Sequence, residues 1–107
     1  MKISVLSAMC GLSMATIEKI NAVFTVHPEL TKALLYGSRA KGNYRLGSDI
    51  DLTLFGNALT HAKLGEIATQ LDDLLLPYNF DISLFNQIDN PDLVDHIRRV
   101  GIVFYEL

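Results

Sequence analysis

Three aspartates, two of them separated by a single residue, are the side chains whose type and spacing best suit metal chemistry. Asp49 and Asp51 lie in the alternating segment 49–55, Asp-Ile-Asp-Leu-Thr-Leu-Phe, and Asp81 lies in a second alternating segment, 79–85. Along a strand, residues two apart point to the same face with Cα atoms roughly 6.6 Å apart. We therefore expect Asp49 and Asp51 to share a face, with Asp81 within about 5 Å of one of them if the two strands are neighbours.

Carboxylates held this close repel one another, and their pKa values rise unless a positive charge lies among them. Hard oxygen ligands on a rigid strand suit Mg²⁺ or Mn²⁺, which keep several waters and take further ligands from substrate phosphates. Two such ions about 3.5 to 4 Å apart stabilise the attacking and leaving oxygens of a displacement at phosphorus. The simpler alternative is the solvent face of an edge strand, but aspartate is a poor strand former and occurs here three times.

The segment before the first two aspartates has the composition of a phosphate-binding loop. Residues 37–42, Gly-Ser-Arg-Ala-Lys-Gly, follow a predicted strand and lead into a predicted short helix, where free N–H groups collect. Gly37 permits a sharp turn, and the Ser38 hydroxyl can donate a hydrogen bond to phosphate. Arg39, Lys41 and Arg45 add three cations. The alternative is an ordinary turn with solvated cations, since neither the Rossmann nor the Walker pattern is present.

Length and composition restrict the function classes further. The chain has 107 residues, half of them hydrophobic and a fifth charged, which is typical of one folded domain without a separate substrate-binding domain. The net charge of −3 disfavours direct binding of nucleic acid. The single cysteine, Cys10, excludes an intrachain disulfide. Residues 2–10 match a secretion signal poorly and no stretch has the apolar length of a membrane span, so we expect a cytoplasmic protein without membrane contact.

The hydrophobic pattern predicts a mixed α/β (α+β) domain over residues 12–107, with helices and strands interleaved around a small sheet. Ser13 is the expected N-cap of a first helix that Pro28 ends, and further helices are predicted at 60–75 and 91–99. Strands are predicted at 31–36, 49–55, 79–85 and 102–105. Residues 1–11 are expected to form a short leading strand or a loose arm.

Taken together, these motifs resemble the signature of the polymerase-beta nucleotidyltransferase superfamily. The resemblance rests on Gly37-Ser38, the cationic interval, Ser48-Asp49-Ile50-Asp51-Leu52 and the distant Asp81. In length and spacing the chain is most similar to the minimal nucleotidyltransferases, small prokaryotic proteins often encoded beside a helical partner of the HEPN type. The resemblance extends over residues 12–107 and implies the polymerase-beta-like fold, a small mixed β-sheet packed with helices.

The resemblance also implies roles for the motif residues. Gly37 and Ser38 would hold the triphosphate of a nucleotide, and Asp49 and Asp51 would bind two Mg²⁺ ions, with Mn²⁺ as an alternative. Asp81 would ligate one metal and help deprotonate the attacking hydroxyl. The implied reaction is attack on the α-phosphate of a nucleoside triphosphate, ATP first among them, with pyrophosphate leaving.

Two of the three loop cations, Lys41 and Arg45, lack a settled role in that family. Lys41 and Arg45 are expected only as phosphate contacts. Arg39 matches the usual Gly-Ser-Arg form and is expected either to contact the nucleotide or to brace the loop.

Family members of this size resemble antitoxins that silence a HEPN ribonuclease by transferring AMP to its tyrosine. A HEPN-type protein is therefore the implied acceptor, in a hetero-oligomer with this chain. A non-catalytic module that neutralises a helical partner by binding it is the alternative. Transfer to a small molecule such as an aminoglycoside is weaker, because it usually requires an additional substrate domain.

The remaining polar residues are expected to have ordinary structural roles. His27, His61 and His96 lie far apart without metal-ligand spacing, and we expect surface or capping roles for them. Tyr44 is interpreted as an exposed loop tyrosine, with base stacking as the alternative. Cys10 has no neighbouring base in sequence and is expected to be an inert thiol.

Overall fold

The computed structural model describes residues 2–107, which contain five α-helices and four β-strands. The elements follow one another as α1 (Ile3–Cys10), α2 (Met14–Thr25), β1 (Lys32–Tyr36), α3 (Gly37–Lys41), β2 (Ile50–Phe55), α4 (His61–Asp72), β3 (Phe80–Leu84), α5 (Pro91–Val100) and β4 (Ile102–Glu106). A 3-10 turn at Phe85–Gln87 follows β3. The predicted mixed α/β class is confirmed.

The four strands form one mixed sheet in the order β3-β2-β1-β4. β1 is antiparallel to β2 and to β4, whereas β2 and β3 are parallel. Parallel neighbours require a long crossover, and here that connection contains α4. The two aspartate-bearing strands are therefore neighbours, which is the condition under which Asp81 is expected to approach the other aspartates.

Strand alternation divides the sheet into an apolar face and a polar face. In β2, Ile50, Leu52 and Leu54 are at most 1% exposed and belong to the main hydrophobic core. That core also contains the apolar sides of α2 and α4, including Phe24 and Leu71. The other residues of β2 must point to the opposite face, where α5 packs against β1.

Side-chain caps start three of the helices where the sequence indicates them. Ser13 accepts a hydrogen bond from the Thr16 N–H, and Thr60 accepts one from the Lys63 N–H. Asn90 accepts bonds from two amides of the first turn of α5, and proline follows it at the first helical position. These caps confirm the predicted starts of α2, α4 and α5.

The expectation of a strand or loose arm at the N-terminus is wrong for residues 3–10, which form α1. Leu6 and Cys10, four residues apart, lie on one helical face and are 3% and 0% exposed. Gly11 ends the helix with φ of 75°, and its N–H donates to the Ser7 carbonyl at 3.0 Å. The apolar run broken by Ser4 and Ser7 obscured this helical period.

Within residues 2–107, no single helix is long and apolar enough to cross a membrane. The consecutive helices α1 and α2 meet the length and composition test only as a pair, and they are bent by 113° relative to each other.

Because residues 3–10 form a helix, shortening two neighbouring apolar side chains should change the free energy of unfolding by different amounts. Leu6→Ala should lower the free energy of unfolding by about 2 kcal/mol or more, because it leaves a cavity in the core. Val5→Ala should change it by less than about 0.5 kcal/mol, because Val5 is 46% exposed. Urea denaturation followed by circular dichroism measures both values. Equal, negligible costs would indicate that residues 3–10 do not pack as described.

Candidate active site

Asp51 and Asp81 lie side by side on the polar face of the sheet. They are register partners in the parallel pair β2–β3, and adjacent strands are about 4.8 Å apart. Asp51 is half-buried, while Asp81 is exposed. Asp49 is exposed and stands immediately before β2, so it lies just outside the strand in which it was predicted.

The negative charges of Asp81 and Asp49 both act on Asp51. The pKa of Asp51 is raised, first by burial, then by the negative charge of Asp81 and then by that of Asp49, while His96 opposes the rise. Within residues 2–107, none of the three aspartates takes part in a salt bridge. The repulsion that the sequence predicts is thus present, and among the described residues it is opposed only in part, by His96 and not by a salt-bridge partner.

The carboxylate oxygens suit a hard divalent cation to which the protein supplies only some of the ligands. Among the described residues, no three His, Cys, Asp or Glu side chains come together as a complete metal cage. Mg²⁺ is typically held by one or two carboxylates, with waters and substrate phosphates as the remaining ligands. The in-register pair Asp51 and Asp81 fits that pattern, and Asp49 adds negative charge at its edge.

The Gly37 turn lies directly against Asp51. Gly37 has φ of 71°, a conformation that side-chain-bearing residues rarely adopt, and a Cβ atom there would overlap the Asp51 Oδ2 atom. The preceding residue, Tyr36, is the register partner of Asp51 across β1 and β2. Ser38 follows at the start of α3 and is half-buried. The structure therefore brings Gly37 against Asp51, with Ser38 next along the chain.

The Arg39 side chain points into the protein interior, where it holds the segment before β2. Its side chain is 1% exposed and donates hydrogen bonds to three carbonyls, those of Ser48 at 3.1 Å, Cys10 at 2.9 Å and Leu46 at 3.4 Å. The guanidinium also lies over the rings of Tyr44 and Tyr78. Of the two roles considered for Arg39, the bracing role fits this geometry and direct nucleotide contact does not.

The other two loop cations remain on the surface. Lys41 and Arg45 are exposed, and within residues 2–107 neither side chain takes part in a hydrogen bond or a salt bridge. The backbone N–H of Arg45 donates to the Ser48 hydroxyl at 2.7 Å, which shapes the loop before β2. Among residues 2–107, no hydrogen bond or salt bridge joins Lys41 or Arg45 to the three aspartates.

Two of the residues given ordinary roles differ from expectation. Tyr44 is half-buried beneath Arg39 instead of being an exposed loop residue. His27 is 3% exposed and bonds to Gln70 at 2.6 Å. Cys10 is a buried free thiol whose pKa is raised by burial, as suits an inert role.

His96 is the site residue that the sequence interpretation missed. Its Nε2 atom accepts a hydrogen bond from the Gly37 N–H at 3.3 Å, and its ring packs edge-on against Tyr36 with centroids 6.2 Å apart. The two bonded residues are 59 positions apart in sequence. No local spacing could have paired them, because only the packing of α5 on β1 brings them together.

A sequence-family comparison identifies the class of protein to which this fold and this arrangement of carboxylates belong. The family model described as "Polymerase beta, Nucleotidyltransferase" matches residues 18–107. The chain therefore belongs to the polymerase-beta nucleotidyltransferase family. None of the curated proteins compared with the chain matches it significantly.

Solved structures share the fold. A chain from a toxin–antitoxin crystal structure with AMP-PNP is 22% identical, with a TM-score of 0.69 over 85% of this chain and 73% of that one. A chain from the tri-AMPylated Shewanella oneidensis HEPN toxin in complex with MNT antitoxin is 19% identical, with a TM-score of 0.64 over 87% and 71%. A proposed minimal nucleotidyltransferase is 24% identical, with a TM-score of 0.65 over 95% of both chains.

The contact between Gly37 and Asp51 predicts a graded effect of two glycine substitutions. Gly42→Ala should lower the free energy of unfolding by about 1 to 2 kcal/mol, from backbone strain alone. Its φ is 85° and nothing lies within 4 Å of an added Cβ. Gly37→Ala should cost distinctly more, because the same strain is joined by overlap with Asp51. Urea denaturation compares the two variants, and equal costs would contradict the close approach.

The raised pKa of Asp51 predicts that its charge destabilises the metal-free fold. The folded state holds this proton more tightly than the unfolded state, so stability falls as pH rises through the interval between the two pKa values. Without divalent cations, Asp51→Asn should therefore raise the melting temperature at pH 7, and the gain should shrink below the ordinary aspartate pKa. Asp89→Asn, at an exposed position, serves as the control. A metal-free Asp51→Asn protein that melts lower than wild type would contradict the repulsion.

Proposed function

We propose that this protein is a Mg²⁺-dependent nucleotidyltransferase that moves AMP from ATP to a hydroxyl group of a HEPN-type partner and thereby acts as its antitoxin. The observation that carries the proposal is the register of Asp51 and Asp81 beside the Gly37 turn in a chain of this family. Such a pair of uncompensated carboxylates suits a site that binds cation and phosphate together.

The described residues suggest a division of roles. Asp49, Asp51 and Asp81 would hold Mg²⁺, or Mn²⁺ in its place, and Gly37 with Ser38 would accommodate the triphosphate. A bound divalent cation would neutralise charge on the transferring phosphate and the leaving pyrophosphate. Asp81, the more exposed member of the in-register pair, would accept the proton of an entering hydroxyl.

The loop cations fit this proposal unequally. Lys41 and Arg45 are exposed and carry no intramolecular partner among residues 2–107, so they can extend to phosphate oxygens of a bound nucleotide. Arg39 would act by holding the loop in shape, since its guanidinium is already occupied by three carbonyls.

The proposed partner rests on the solved structures of the same fold. Several belong to toxin–antitoxin complexes, one containing AMP-PNP and another a tri-AMPylated HEPN toxin. A tyrosine hydroxyl of a HEPN-type protein is therefore the acceptor we propose for this chain. We also propose a cytoplasmic location for this reaction.

The direct test combines the protein with its HEPN-type partner, ATP and Mg²⁺ and follows the partner by intact mass spectrometry. Wild type should add the mass of AMP to the partner. Asp49→Asn with Asp51→Asn should slow the transfer by about a hundredfold or more, because two of the three proposed metal-binding charges are lost. Omission of Mg²⁺ should have a comparable effect.

The matched control is Glu18→Gln with Glu106→Gln, which removes two exposed charges that do not influence Asp51. This control should label the partner at the wild-type rate. Absence of labelling by wild type would count against catalysis. A double aspartate variant that still suppresses the partner's activity would favour neutralisation by binding alone.

A further inference from the structure

His96 is the polar side chain of α5 that reaches the turn between β1 and α3. Its Nε2 atom accepts the Gly37 N–H, the first amide of α3, at 3.3 Å. An imidazole nitrogen that accepts must be unprotonated, so this contact requires the neutral ring with its hydrogen on Nδ1. The contact therefore specifies one tautomer of His96.

The surroundings of His96 fix its ring in place. The neighbouring residue Ile97 is 0% exposed and anchors α5. The ring stands edge-on against Tyr36, with an interplanar angle of 81°. Tyr36 is itself only 7% exposed and is the register partner of Asp51. His96 is thus held by packing before any ligand arrives, as an effective positioning group must be.

The hydrogen bond also determines what the Gly37 amide can do. Because that N–H already donates to His96, it points toward α5 and is not a free donor for phosphate. Gly37 then contributes by its shape, since φ of 71° disfavours a side chain there and an added Cβ would displace the Asp51 carboxylate. The phosphate donors must come from Ser38 onward.

We propose that His96 is a positioning residue for nucleotide binding: its Nε2 atom holds the Gly37 turn against Asp51, so that Ser38 and the carboxylates face the same ligand. This role rests on the proposed function, because it assumes that MgATP is the ligand. His96 acts through Gly37 and does not itself contact the nucleotide. If His96 only filled space in the core, KM for MgATP would not depend on whether the replacing side chain carries a hydrogen-bond acceptor.

The test compares His96→Leu, which removes the acceptor, with His96→Gln, whose side-chain oxygen can replace Nε2. His96→Leu should raise KM for MgATP about tenfold, the equivalent of one net hydrogen bond, and leave kcat within about twofold. His96→Gln should restore most of the affinity. His61→Leu, at an exposed histidine of α4, is the matched control and should behave as wild type.

Two further readouts separate the role of His96 from folding and from the proposed function. ¹⁵N NMR of the nucleotide-free protein should show the neutral ring of His96 protonated on Nδ1, and protonation on Nε2 would overturn the inference. Melting temperatures identify a His96→Leu protein that fails to fold. In that case KM for MgATP is compared between His96→Gln and His96→Asn, whose shorter side chain does not reach Gly37. Only His96→Gln should then keep most of the affinity.

The outcomes are distinct. Unchanged KM in a folded His96→Leu protein, with wild type active, would overturn the role of His96 alone. Tighter MgATP binding by His96→Leu would also overturn it, since His96 would then compete with phosphate for the Gly37 amide. An equal loss of MgATP affinity in His96→Leu and His96→Gln would show that the acceptor atom at Nε2 is not the cause of the loss. A wild type that neither binds MgATP nor transfers AMP would overturn the proposed function together with this inference.

Discussion

The parallel pairing of β2 with β3 is the constraint on which the site depends. Its register places Asp51 beside Asp81, while the alternate residues Ile50, Leu52 and Leu54 enter the core. A slip by one residue would expose those apolar side chains and bury the carboxylate, so burial of the core enforces the pairing. The hydrophobic face thus stabilises an arrangement that charge repulsion opposes.

A second constraint fixes the loop that faces the carboxylates. The buried guanidinium of Arg39 joins carbonyls of α1, at Cys10, and of the segment before β2, at Leu46 and Ser48. The bond to the Cys10 carbonyl is buried, and without the Arg39 side chain that carbonyl would lose this partner, at a cost of about 1 to 3 kcal/mol for an unsatisfied group. The loop therefore keeps its form through intramolecular bonds, and α1 becomes part of the support for the site even though it lies far from Asp81 in sequence.

The parts of the structure that the sequence predicts are those set by local patterns. Alternation identifies β2 and β3 and the faces of their aspartates, and capping residues such as Ser13 mark the helix starts. The unpredicted parts depend on contacts distant in sequence. α1 owes its order to burial of Leu6 and Cys10, and the contact of His96 with Gly37 exists only after α5 packs on β1. Arg39 fits the family motif in sequence, and only its burial distinguishes a brace from a ligand contact.

The electrostatics of the site link its two proposed ligands. Asp49, Asp51 and Asp81 would repel the phosphates of a nucleotide as they repel one another, because no protein cation is paired with them among residues 2–107. A divalent cation bound between carboxylate and phosphate converts both repulsions into attraction. Thermodynamic reciprocity then requires that nucleotide increase the affinity for the cation by the same factor as the cation increases the affinity for nucleotide. The incomplete donor set of the protein is therefore consistent with a site that becomes complete only when substrate supplies the missing oxygens.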